Sequence, residues 1–219
     1  MPNWSHSSLK DYEGCPRRYQ YKRVLKLYPF EETEATRYGN EVHSAIENYI
    51  LTRGNFDPSY AAFKPAIDAM LNRPGRVFAE HEMALTDLLT PCEWKSPHAW
   101  VRGIADILIV DDENLTAYVG DWKTGNNKFP DRDQLVLMSL LTFAHFPHVR
   151  VVKSALIFLV KNSIVKHKMT REEVDQAWWQ YRERYAKLAA SYDNDVWNPK
   201  QSALCPWCPV KVCEHHPDH

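Results

Sequence analysis

Two acids and a lysine pose the chemical question in this chain. Asp121, Trp122 and Lys123 follow an apolar run, Leu115 to Val119. Strand geometry puts residues two apart on one side, so Asp121 and Lys123 project together. A further acid, Asp106, interrupts the preceding apolar run of Ile104, Ile107, Leu108 and Ile109, where an unpaired carboxylate is costly. Glu82, on the run before that, could join them. Paired carboxylates beside an ammonium group suit magnesium or manganese, hard cations that keep several waters. Such an ion neutralises a phosphodiester and lowers the pKa of a bound water. A neighbouring lysine orients that water and offsets developing charge. An Asp-x-Lys triplet alone is more often a strand end with a surface ion pair. The acid set in an apolar run one hairpin away shifts the balance toward chemistry.

A second cluster lies in the tail, where Cys205-x-x-Cys208 is followed by Cys213. The N-terminus lacks an apolar signal region, so five cysteines point to ligation or free thiols before disulfides. Three thiolates leave a tetrahedral site open, and His215 or His216 could complete it for zinc. Cys92 fits no such scheme and reads as a loop or core thiol. His43 sits beside the apolar stripe of a helix, where a lone histidine is more often a core residue than a ligand. Arg17, Arg18, Lys22, Arg23 and Lys26 form the most basic stretch, equally a solvated face or a phosphate contact.

The elements that must position these residues follow from periodicity. Ser7 or Ser8 can cap a first helix, Gly14 and Pro16 break it, and a second starts near Pro16. Residues 28–37 read as a loop. Val42, Ile46, Tyr49 and Ile50 recur at helical spacing, and residues 56–71 form another helix interrupted by Pro65. The period then changes to two across Val77, Ala79, His81, Met83 and Leu85. Residues 99–110 and 115–123 are further strands joined by a turn at 111–114, giving a three-stranded meander with the acids on its second and third members. A helix runs from Gln134 to about His145. Strands are expected over 151–160 and 163–169, and Thr170 to Glu173 is a capping-box start for a long helix. The tail after Tyr192 is aperiodic.

Length and 44% hydrophobic content allow one sizeable core. Near-balanced charge, 27 basic against 28 acidic residues, counts mildly against a nucleic-acid binder without excluding a local basic surface. No run is long enough to span a membrane, and a soluble, cytoplasmic protein is expected.

The ordered motifs resemble the PD-(D/E)XK nuclease superfamily, specifically its RecB-like exonuclease branch, with CRISPR-associated, AddB-type and phage members. Ser7 to Tyr19, Gly39 to His43, Gly103 to Asp106, Asp121 to Gly125 and Gln134-Leu135 carry the resemblance in order. Met138 stands where the last motif usually has a tyrosine. The resemblance implies an α/β, restriction-endonuclease-like fold with a central mixed sheet flanked by helices. It implies one domain over 1–219, with 1–27 and 193–219 packed as a cysteine-bearing cap. It further implies that His43, Asp106, Asp121 and the main-chain carbonyl of Trp122 ligate the metal, that Lys123 is the catalytic lysine and that Gln134 sits at the site's edge. Cys15 would join Cys205, Cys208 and Cys213 around a 4Fe–4S cluster. The expected activity is a magnesium- or manganese-dependent exonuclease on single-stranded DNA or DNA ends, with recombination, replication or CRISPR-adaptation proteins as partners. The rival expectations are a non-catalytic DNA-binding or assembly subunit and a small zinc-binding interaction protein.

Overall fold

The computed structural model describes residues 2–28, 31–126 and 128–218. The chain divides into two compact units. One joins both chain ends, through Glu31 and from Trp179 onward, and the other comprises Glu32–Trp178.

The larger unit is built on a six-stranded mixed sheet of order β2-β1-β3-β4-β5-β6. Its strands are β1 (Arg76–Leu85), β2 (Pro91–Cys92), β3 (Val101–Asp111), β4 (Thr116–Lys123), β5 (Val151–Phe158) and β6 (Ser163–Thr170). The expected meander is present as antiparallel β1, β3 and β4. β4 then pairs in parallel with β5, and the crossover that a parallel pair requires is a helix (Arg132–His145). β6 returns antiparallel as an edge strand. The β3–β4 turn falls one residue later than its spacing suggests. The Asp111 side chain takes the Asn114 amide, and Leu115 adopts a left-handed φ of 51°.

Numbered in chain order, the helices are α1 (His6–Gly14), α2 (Pro16–Tyr19), α3 (Glu34–Thr52), α4 (Lys64–Leu71), α5 (Arg132–His145) and α6 (Val174–Asn194). α3 begins at Glu34, inside the expected loop, because Thr33 and Thr36 form a reciprocal cap. The stretch expected as one helix over 56–71 is a 3₁₀ turn, Pro58–Phe63, followed by α4, with Pro65 tolerated in the first turn. Val42, Ile46 and Ile50 of α3 and Ile67 and Met70 of α4 pack on Ile107, Ile109, Trp122 and Ile157 of the sheet. α5 is apolar nearly all round, and its Leu135 packs with Leu156 and Phe158. Among the described residues no helix is long and apolar enough to cross a membrane.

In the smaller unit α1 is capped by Ser5, with Ser8 completing a capping box, not by Ser7 or Ser8. α2 runs into a π-helical turn, Gln20–Val24. The Tyr12 hydroxyl bonds the Lys187 carbonyl and Ser191 hydroxyl of α6 at 2.8 Å each. Tyr19 stacks on Trp197 at 5.9 Å, and Trp4 on Tyr181 at 5.6 Å. Both chain ends are therefore knitted together by aromatic burial.

Gly120 marks how closely the larger unit is packed beneath Asp121. A Cβ there would stand 2.7 Å from Ile107 Cγ2 and 3.3 Å from Met70 Cε. Gly120→Ala is expected to lower stability by about 1–3 kcal/mol through overpacking, read as a lower urea midpoint at unchanged m-value.

Candidate metal centre and cysteine cluster

The site opens where two paired strands stop exchanging backbone hydrogen bonds. The β3–β4 ladder ends at Ile107 and Gly120. One residue beyond, the buried Asp106 carboxylate accepts the Trp122 amide at 2.6 Å. A side chain thus replaces a carbonyl as the acceptor, and the freed backbone is available to a helix. His43 of α3 reaches in from there, its Nε2 2.9 Å from the Trp122 carbonyl oxygen. Its Nδ1 lies 3.6 Å from Asp106 Oδ2 and 3.8 Å from Glu80 Oε1. Among the described residues, His43, Glu80 and Asp106 form the group of metal-ligating side chains whose donor atoms lie within 4.8 Å of one another.

Glu80 is the residue that sequence reasoning missed. It lies opposite Asp106, between the paired residues Ala79–Ile107 and His81–Ala105. It also adopts a left-handed φ of 43° inside a strand, a strained conformation of the kind found at functional sites. Glu82, the acid favoured from sequence, lines the same open cleft of about 670 Å³ with His43, Glu47 and Glu80. The signal for Glu80 was its shared strand parity with Glu82, and only the pairing with β3 separates the two.

Asp121 and Lys123 do project together, with Lys123 Nζ 2.6 Å from Asp121 Oδ2. The Gln134 amide, from the first turn of α5, donates to Asp121 Oδ1. Met138, one turn later, packs toward Gly103, where a Cβ would meet its sulfur at 3.1 Å. A small residue on β3 thus lets α5 approach the sheet.

The electrostatics are those of crowded negative charge. Burial, then the Asp121 carboxylate, pushes Asp106 up to about 8. The Glu80 carboxylate, with Asp106 and the Trp122 carbonyl adding to it, raises His43 to about 9 against the opposing effect of burial. A cation would relieve both. The donor set fits one: imidazole, carboxylates and a carbonyl suit a hard divalent ion. The 2.9 Å between His43 Nε2 and the Trp122 oxygen is also close to that of adjacent ligands on an ion with bonds of about 2.1 Å.

In the smaller unit Cys15, Cys205, Cys208 and Cys213 line one small cavity with His215 and His216. The four cysteines are free thiols, as is Cys92. Backbone amides point at two sulfurs, Lys200 N at Cys15 Sγ (3.4 Å) and Ser202 N at Cys205 Sγ (3.3 Å). His216 Nδ1 is occupied by the Asp218 amide at 3.0 Å. The basic stretch divides. Arg23 is paired with Asp11 at 2.6 Å, and Arg17 donates to the Trp197 carbonyl at 3.1 Å and lies 3.8 Å from Glu214. Those two hold the unit together. Arg18 lines the cysteine cavity.

A mixed sheet flanked by helices, with acids at the open end of a β-hairpin and a lysine two residues on, defines the restriction-endonuclease-like class of metal-dependent nucleases. The sequence matches the PD-(D/E)XK nuclease superfamily over residues 3–213, and the chain belongs to that superfamily. No curated protein matches the sequence significantly. Among solved structures, a protein from Eubacterium rectale described as "Putative exonuclease" is similar in fold, with a TM-score of 0.57 and 14% identity. The match covers 94% of this chain and 86% of that one. The structure of SSO0001 aligns more loosely, with a TM-score of 0.41 and 15% identity over 98% of this chain and 86% of its own.

The raised values of Asp106 and His43 have a definite sign. A group that binds its proton more tightly when folded contributes stability that is lost as pH rises through its folded pKa. The chelator-treated protein is therefore expected to lose thermal midpoint from about pH 4, where Asp106 ionises in the unfolded chain, to about pH 9, where His43 loses its proton in the folded one. Asp106→Asn should flatten that loss. Added Mn²⁺ should restore more stability at the alkaline end, with proton release seen by calorimetry in buffers of different ionisation enthalpy.

Proposed function

We propose that the chain is a DNA exonuclease or related DNA-end-processing nuclease, acting on single-stranded DNA or duplex ends through magnesium or manganese. The observation that carries this reading is the convergence of His43, Asp106 and the Trp122 carbonyl beside the Asp121–Lys123 pair. His43, Asp106, Asp121 and the Trp122 carbonyl would hold the ion. A divalent ion held there would neutralise phosphate charge and supply a water of lowered pKa.

The chain's own residues do the rest. Lys123 orients the attacking water for in-line displacement and offsets charge that develops on the phosphate oxygens. Gln134 fixes the Asp121 carboxylate. Glu80, 3.8 Å from His43 Nδ1, is close enough to orient the ring as carboxylates beside imidazole ligands do. Arg18 and Lys22 are candidate phosphate contacts, with Arg17 and Arg23 in supporting roles. We read 1–219 as one nuclease domain whose segments 1–27 and 193–219 form a cap.

The cap would hold a 4Fe–4S cluster on Cys15, Cys205, Cys208 and Cys213. Zinc draws its sulfurs to about 3.8 Å from one another, given Zn–S bonds of about 2.3 Å. Among the described residues no three cysteine or histidine donors of this cavity lie within 4.8 Å of one another. The amides aimed at Cys15 Sγ and Cys205 Sγ are donors of the kind that cluster sulfurs accept. Protein purified without oxygen is expected to contain iron and acid-labile sulfide, both lost in Cys208→Ser. Zinc in their place would overturn the cluster.

Activity is tested on 5′- and 3′-labelled linear and single-stranded DNA with Mg²⁺ or Mn²⁺. Asp121→Ala and Lys123→Ala are each expected to lose at least about 100-fold in rate. Glu80→Gln should raise the metal concentration for half-maximal rate by about 10-fold or more. Wild-type protein that leaves every substrate intact with both metals ends the enzyme reading.

A further inference from the structure

A second cleft, of about 510 Å³, lies between α4 and strands β4, β5 and β6 of the larger unit. Its rim carries Arg73, Lys153, Lys166 and Lys168, and among the described residues no acidic one lines it. Among the described residues none of these four cations forms an ion pair within 4.0 Å. The sheet explains their arrangement. Tyr118, Lys153 and Lys168 occupy one row across β4, β5 and β6, and Ala155 and Lys166 occupy the next. The following row brings Ile157 beside Ile164, which is 54% exposed. The cleft thus has an apolar floor and a cationic rim.

Lysines on an edge strand such as β6 commonly guard against edge-to-edge pairing. That role needs them on the edge alone. Here Lys153 comes from the inner strand β5 and Arg73 from just beyond α4. Both are drawn over the Tyr118 ring, the Arg73 guanidinium 4.4 Å and the Lys153 ammonium 5.4 Å from its centroid. Cation–π contact holds them in place and leaves their N–H groups without a carboxylate partner. Lys166 and Lys168, two residues apart on one face, are separated by about 6.7 Å of strand, a spacing suited to neighbouring phosphates of an extended chain. Exposed Ile164 and its neighbours offer the apolar surface on which a base or sugar packs.

We propose that this cleft binds single-stranded nucleic acid, with phosphates on the four cations and a nucleoside against the floor, as a strand-holding site separate from the acidic cleft. The proposal rests on the nuclease reading only in naming DNA as the polyanion. It gives a chain of near-zero net charge the local basic surface that its overall composition lacks.

The test uses the full chain and a fluorescein-labelled oligothymidylate of about 16 nucleotides, in EDTA so that no hydrolysis occurs. Anisotropy is followed across a salt series for wild type, Lys166→Glu/Lys168→Glu and the control Lys161→Glu on the neighbouring turn. The double variant is expected to weaken Kd by about 10-fold or more and to lower the salt slope by more than about 1, two phosphate contacts being worth about 1.4 on single strands. Lys166→Gln/Lys168→Gln should show the same effects at smaller size, and a wild-type thermal midpoint for each variant confirms folding. Binding and slope equal to the Lys161→Glu control overturn the proposal. So does thymidine monophosphate that competes as well as the oligonucleotide at equal phosphate concentration, because that marks a mononucleotide site. Wild type that binds through these lysines yet cleaves nothing with Mg²⁺ or Mn²⁺ removes the nuclease reading and leaves the cleft. Wild type that cleaves while binding ignores the lysines does the reverse.

Discussion

The hydrogen bond from the Trp122 amide to the Asp106 carboxylate organises the acidic end of the sheet. It terminates the β3–β4 ladder with a side chain in place of a carbonyl. Backbone polar groups in a buried sheet require partners, so strands can part here only because Asp106 supplies one. The parting leaves the Trp122 carbonyl to His43. It also brings Asp106 close enough to Asp121 that the Asp121 carboxylate adds to burial in raising the Asp106 pKa. Without that bond the carbonyl would be expected to rejoin a ladder, and His43 would lose its place beside it.

Stability and chemistry pull against each other at this point. Asp106 is buried with another carboxylate close by, and Glu80 is held at a positive φ inside a strand. Both are costly arrangements. They are sustained by the packing of α3 and α4 on one side and α5 on the other, where Ile107, Trp122 and Leu135 are fully enclosed. Gly103 and Gly120 permit that closeness, each meeting a neighbour's side chain where a Cβ would stand. A rigid scaffold around a strained, charge-crowded centre is what preorganised electrostatics require.

What was legible in the sequence followed from local periodicity. Asp121 and Lys123 share a face because a strand has period two, and the structure joins them at 2.6 Å. The apolar runs of β3, β4 and β5 and the helical stripe Val42–Ile46–Ile50 were visible for the same reason. What was not legible depended on contacts between distant segments. Glu80 and Glu82 are equivalent by pattern, and only the pairing with β3 sets Glu80 against Asp106. The starts of α1 and α3 were misplaced because Ser5 and Thr33 cap with Ser8 and Thr36, without the acidic partner that usually marks a capping box. The basic cleft was invisible because its cations come from three stretches of chain that sequence spacing does not relate.

In the proposed metal centre one divalent ion would join α3 to the parted strands. A Mn²⁺-soaked crystal, with anomalous scattering measured at the manganese edge, tests that directly. The expected result is one peak within bonding distance of His43, the Trp122 carbonyl oxygen and the Asp106 and Asp121 carboxylates. A peak held elsewhere, with His43 still bonded to the Trp122 carbonyl, would contradict it.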